Sequence, residues 1–183
     1  MALVPKLVVA LLLVLLANPL HAKPKPDPDL FRSEVARLEL RKPAGWTFQT
    51  LQTALENRAK VKLKDAEFEQ ALTQLASAPV MIAMRHPEPY EKLNPTVQVI
   101  VRPAATLEGR SGVEIMTMVA PALARQFADF AMVDSVRAVT VGERPGARMT
   151  VRYTLKTQDG REFPTQATIV MIPRGKALYQ FGF

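Results

Sequence analysis

Two groups of residues in this chain have the types and spacing to do chemistry. The first lies in "HPEPYEKLNP", residues 86–95, where His86, Glu88, Tyr90 and Glu91 fall close together. They could seed a metal or polar-ligand site, or offer Glu88 and Glu91 as a carboxylate pair for hydrolysis. Residue counts weigh against both. A structural zinc site wants four nitrogen or sulfur ligands and a catalytic one at least three protein ligands. His86 is the only histidine after His21. Ser–His–Asp chemistry lacks a second element as well, since no G-x-S-x-G stretch is present. The competing reading is a solvated loop stiffened by its three prolines.

The second group lies in "ARMTVRYTLKT", residues 147–157. Strict alternation predicts a strand with Met149, Val151, Tyr153 and Leu155 on one face and Arg148, Thr150, Arg152, Thr154 and Lys156 on the other. Alternate residues stand ~7 Å apart and every fourth residue twice that. Guanidinium groups grip carboxylate or phosphate in two-pronged fashion, so Arg148 and Arg152 could form an anion-binding stripe. The alternative is a solvated face, or one half-covered by helices with its arginines paired to acids. "RAKVKLK", residues 58–64, spaces its cations two apart and reads as a solvated segment or a weaker contact for an anionic surface.

Trp46, in "KPAGWTFQT", is the only tryptophan. It reads as the edge of a site or as a peg closing a core, with the peg favoured. A buried indole predicts a loss of ~3–5 kcal/mol for Trp46→Ala.

No cysteine is present, which excludes thiolate zinc sites, iron–sulfur clusters and thiol nucleophiles. "GERPG" and "PRGK" read as glycine turns between strands rather than phosphate cradles at a strand-to-helix junction. No cofactor and no metal are therefore expected, and no catalysis.

The compartment follows from the N-terminus. Lys6, an unbroken apolar run over 7–17, the Asn18–Pro19 break and Ala22 read as a secretory signal peptide over 1–22. The run falls short of the ~20 apolar residues of a membrane span, so membrane attachment would come only through an uncleaved signal. The mature chain would hold 161 residues (183 − 22) with a charge of +6 (+7 less Lys6) and act in the periplasm or outside the cell. Nucleic acid is not expected as a partner, because no basic–aromatic recognition motif appears.

These groups need elements to position them. "KPKPDPDL" alternates proline with charge and reads, over 23–33, as a disordered tether. Then come a strand over 34–41, the Gly45–Trp46 corner, a short helix over 50–57 and a helix over 65–77 capped by Asp65. Strands follow over 80–85 and 96–102. A long helix over 111–130 carries a Ser111/Glu114 capping box and an internal Pro121. A closing meander runs over 132–141, 147–157, 161–172 and 177–183. Turn residues are expected over 142–146, at Asp159–Gly160 and at Gly175, and Pro164 marks an edge or a bulge. Helices segregated from a run of hairpin-linked strands imply one α+β domain with a mostly antiparallel sheet.

The Gly45–Trp46 corner after the first strand, the long central helix and the closing "VMIPRGKALYQFGF" resemble the PsbP-like superfamily. The resemblance covers 34–183 and implies a single α/β-sandwich domain, with binding or assembly roles and no catalysis. It implies a further helix after the last strand. The sequence stops at Phe183 without one, so Phe181 or Phe183 is expected to lie exposed as a partner surface. Three functions follow: an exported protein that binds or helps assemble an envelope partner; a binder of a small or polymeric anionic ligand through the basic face; and, weakest, a carboxylate hydrolase.

Overall fold

The computed structural model describes residues 27–62 and 79–183. The signal peptide read over 1–22, the start of the tether and the helix expected over 65–77 lie outside the described residues. Along the chain come β1 (Leu30–Ser33), β2 (Leu38–Arg41), β3 (Thr47–Phe48), α1 (Leu51–Ala59), β4 (Val61–Lys62), β5 (Met81–Met84), β6 (Thr96–Pro103), α2 (Gly112–Gln126), β7 (Ala128–Val141), β8 (Arg144–Thr157), β9 (Glu162–Arg174) and β10 (Ala177–Gly182). The main sheet runs β3-β5-β6-β10-β9-β8. β7 and β4 share the outer edge of β8, β7 along most of its length and β4 beside Lys156 and Thr157. All pairings are antiparallel, so the α+β expectation holds.

β8 shows why the chain folds this way. Ala147, Met149 and Val151 project to one face and are fully buried there with Met171 and Leu178. Ile115 and Met116 of α2 close over them at zero exposure, flanked by Val113, Val119, Ala120 and Leu123. α2 starts where expected. The Ser111 hydroxyl accepts from the Glu114 amide at 3.2 Å, and the Glu114 carboxylate accepts from the Ser111 amide at 2.7 Å. That reciprocal cap satisfies two amides that have no partner inside the helix. Gly112 seats this end directly on β8, since a Cβ there would stand 2.8 Å from the Ala147 nitrogen.

Several boundaries differ from expectation. α2 ends at Gln126 rather than reaching 130. Phe127 is already extended (φ −107°, ψ 144°), and Ala128 enters the ladder opposite Thr154. Pairing with β8 outcompetes another helical turn. The turn expected over 142–146 is only Gly142–Glu143, both at positive φ, as a tight two-residue hairpin requires. Arg144, Pro145 and Gly146 belong to β8.

The tether read over 23–33 is corrected at its C-terminal end. Leu30–Ser33 forms β1 and pairs with β2, because Phe31, Leu38 and Leu40 bury apolar surface on the sheet. The strand read over 34–41 begins only at Leu38. A turn occupies the start of that range, with the Arg37 amide bonded to the Glu34 carbonyl at 3.1 Å and Val35 fully exposed.

This hairpin covers the second face of the sheet, opposite α2. It lies over Met81, Ala83 and Val99. Its turn is tied down by the Tyr179 hydroxyl, which donates to the Ala36 carbonyl at 2.8 Å. Val170, Ile172 and Tyr179 form a neighbouring cluster on this same side.

Candidate functional site

The loop holding His86 is organised by its own residues. The Asn94 side chain accepts from the His86 amide at 3.1 Å and donates to the His86 carbonyl and the Glu88 carboxylate, both at 2.9 Å. The other Glu88 oxygen accepts from the Tyr90 amide at 3.2 Å. The His86 and Tyr90 rings stack 4.4 Å apart. Glu91 contributes its carbonyl, which accepts from Arg161 at 3.2 Å. The structure therefore brings His86, Glu88 and Tyr90 together, with the Glu88 carboxylate engaged in holding the loop. Among the described residues no three His, Cys, Asp or Glu side chains group as a metal site. The sequence reading missed Asn94, which is the hub of this arrangement.

Trp46 packs, half-buried, against the cluster of Met81, Ala83 and Val99. Its amide bonds to the Pro43 carbonyl at 3.1 Å, closing a turn in which Gly45 takes φ +76°. It sits as a lid at the rim of that cluster, far along the sheet from the arginines of β8.

Those arginines occupy the second face, beyond the hairpin's cover. Thr150 lies low between them at 3% exposure, its hydroxyl 3.2 Å from that of Thr168 on β9. Arg148 reaches the Thr150 hydroxyl at 3.5 Å and the Asp134 carboxylate at 3.8 Å. With both partners of that ion pair at least a third exposed, it is worth only about 0–1 kcal/mol. The Arg148 Nε is buried without a hydrogen-bond partner. Arg152 is exposed and makes no ion pair among the described residues.

The register adds cations that sequence reasoning did not find. Arg137 of β7 stands directly opposite Arg148. Arg144 starts β8 opposite Val141 of β7, and Arg174 ends β9 opposite Ala177 of β10, both beyond the paired stretch of β8 and β9. Arg174 donates to the Arg37 carbonyl of the covering hairpin at 3.5 Å. Like charges directly opposite destabilise a sheet by a few tenths to about 1 kcal/mol. One such pair, Arg137 and Arg148, stands on this face. At the far end the charge is balanced: Lys156 pairs with Glu162 at 2.5 Å, and Thr154 donates to Asp129 at 2.7 Å. The arginine face is thus net positive from Arg144 to Arg152. Recognising "GERPG" as a two-residue turn would have placed Arg144 and Arg137 on it.

No known family profile matches this sequence, and no curated protein matches it. Among solved structures it is similar to a cyanobacterial PsbP (CyanoP) from Synechocystis sp. PCC 6803. That likeness has 11% identity and a TM-score of 0.40, over 86% of this chain and 80% of that one. It is also similar to a Pseudomonas aeruginosa protein of unknown function described as a putative regulator. Here identity is 12% and the TM-score 0.37, over 84% of this chain and 78% of the other. No helix among the described residues is long and apolar enough to cross a membrane.

Proposed function

We propose that this protein is an exported, non-enzymatic binding protein that holds an anionic component of the cell envelope on the arginine face of its sheet. The observation that carries this reading is the cross-strand pairing of Arg148 with Arg137, with Arg144 and Arg152 on the same strand face, set against one long ion pair to Asp134. A fold that only needed a soluble face would gain by alternating signs across strands, as it does at Lys156 and Glu162. An anion placed between the guanidinium groups relieves their repulsion and forms charge-assisted hydrogen bonds. The signal-like N-terminus supports an envelope location.

The test is retention on immobilised polygalacturonate at low and at physiological salt. Wild-type protein should bind and be released by salt. Arg148→Gln combined with Arg152→Gln should lose about tenfold in affinity with an unchanged circular dichroism spectrum. Equal binding by wild type and double variant would remove the arginine face from the function.

A further inference from the structure

We propose that the ligand is a linear acidic glycan laid lengthwise along β8 from Arg144 to Arg152, rather than a compact anion or a membrane surface. This rests on the reading that the arginine face binds anions, and adds the shape of what it binds.

The second-face residues of β8 alternate cation with small residue: Arg144, Gly146, Arg148, Thr150, Arg152. A cation therefore stands at every fourth position, ~14 Å apart, and the stretch from 144 to 152 spans about 27 Å. Between the arginines the side chains are short. Gly146 has no side chain and is buried, with the Met171 carbonyl and the Ile172 side chain filling the space a Cβ would take, at 2.7 and 3.0 Å. Thr150 and Thr168 are both buried and hydrogen-bonded to each other. Arg148 and Arg137 can share one anionic group, while Arg144 and Arg152, each ~14 Å from Arg148 along the strand, stand at separate positions. A polymer carrying charge at intervals can meet them in turn.

One wall beside the arginines favours a narrow partner over a flat one. The β1–β2 hairpin stands on this same face, anchored through Ala36 to Tyr179 and through Arg37 to Arg174. A bilayer surface cannot descend beside that wall to Arg148, whereas a single chain can. Another extended polyanion, single-stranded nucleic acid, binds by stacking bases on aromatic rings. The second-face residues of β7, β8 and β9 include no aromatic side chain. Gln166, level with Arg152 on β9, offers an amide to sugar hydroxyls instead. Past Arg152 the charge is balanced, with Lys156 paired to Glu162 and Asp129 bonded to Thr154, so the net positive track ends there.

The experiment is calorimetric titration of the full mature chain with a ladder of size-defined oligogalacturonates, alongside galacturonate monomer, oligothymidylate of matched charge and anionic phosphatidylglycerol vesicles. Affinity should rise at least tenfold with oligomer length and level off once about 27 Å is spanned. The salt dependence of log Kd should steepen by about 0.7 for each arginine engaged. Arg144→Gln should move the plateau to shorter oligomers, and Arg148→Lys, which keeps the charge, should retain most of the binding that Arg148→Gln loses. Length-independent affinity matching that of the monomer would overturn the linear ligand while leaving anion binding intact. Equal binding of oligothymidylate or of vesicles would overturn the glycan assignment. Binding of every probe unchanged by Arg144→Gln, Arg148→Gln and Arg152→Gln together, or no binding at all, would remove the underlying reading as well.

Discussion

The two faces of β8 are made from alternate residues of one short sequence and have opposite fates. Met149 and Val151 are sealed under α2, while Arg148 and Arg152, their immediate neighbours, stand on a face that, among the described residues, the β1–β2 hairpin and Trp46 cover at its other end. The first face is held by close packing, and its energy scales with apolar area removed from water. The second carries charge held apart by strand register, at a small cost to the sheet. The lesson is that stability and binding can be assigned to different residues of the same strand, so substitutions should separate them.

The largest stability effect is expected from Met149→Ala, which empties a fully buried site. A loss of about 2–5 kcal/mol should appear in urea unfolding, with polygalacturonate affinity unchanged under folding conditions. Next comes Gly146→Ala. Its Cβ would stand 2.7 Å from the Met171 carbonyl and 3.0 Å from the Ile172 Cγ1, and overpacking of that kind costs about 1–3 kcal/mol. Because Gly146 lies between Arg144 and Arg148 on β8, a shift of the strand there should also weaken binding. It therefore tests whether the two faces are as separate as the geometry suggests. Trp46→Ala should cost about 2 kcal/mol, below the ~3–5 of a fully buried indole, because the ring is only half-buried at the rim of its cluster. Its binding should match wild type.

Ser111→Ala should cost about 1 kcal/mol through the lost cap of α2. The cap has a pH signature. Hydrogen bonds from the Ser111 amide and then its hydroxyl hold the Glu114 carboxyl below its ordinary value of 4.5. A depressed carboxyl stabilises the fold fully above its unfolded value and loses that contribution as pH falls through the lower folded value. The stability difference between wild type and Glu114→Gln should therefore be present at neutral pH and close in acid below 4.5. The smallest effect belongs to Arg137→Gln. Melting should shift by less than about 0.5 kcal/mol and in the stabilising direction, since it removes a cation facing Arg148. Affinity for the polyanion should fall nonetheless. A clear loss of stability instead would make Arg137 part of the scaffold.

Much of this architecture was legible in the sequence because it rests on local signals. Alternation placed Arg148 and Arg152 opposite Met149 and Val151. The Ser111/Glu114 pair started α2, and Asp159–Gly160 and Gly175 marked hairpin turns that take positive φ in the structure at both glycines. Pro164 was read as an edge signal, and it lies on the stretch of β9 outside the β10 pairing. What was missed is non-local. Leu30–Ser33 looked like the end of a charged tether because nothing nearby shows that Leu38–Arg41 returns to pair with it. The end of α2 was misplaced because helix periodicity continues through Phe127 while β8 recruits Ala128. Asn94 was passed over because its role exists only once the loop has folded back on His86 and Glu88.

The sequence by itself determined which residues are apolar and at what period, hence the α+β class, the elements of the closing meander and the two-faced character of β8. Those properties follow from side-chain alternation and from glycine, proline and cap chemistry, all of which act within a few residues. Only the tertiary structure decided which face the hairpin would cover and which arginines would meet. Cross-strand partners are set by turn length and by the register shifts along β7. One residue of slip would have sent Arg137 to the other side of the sheet. The basic face is therefore a product of register rather than of composition.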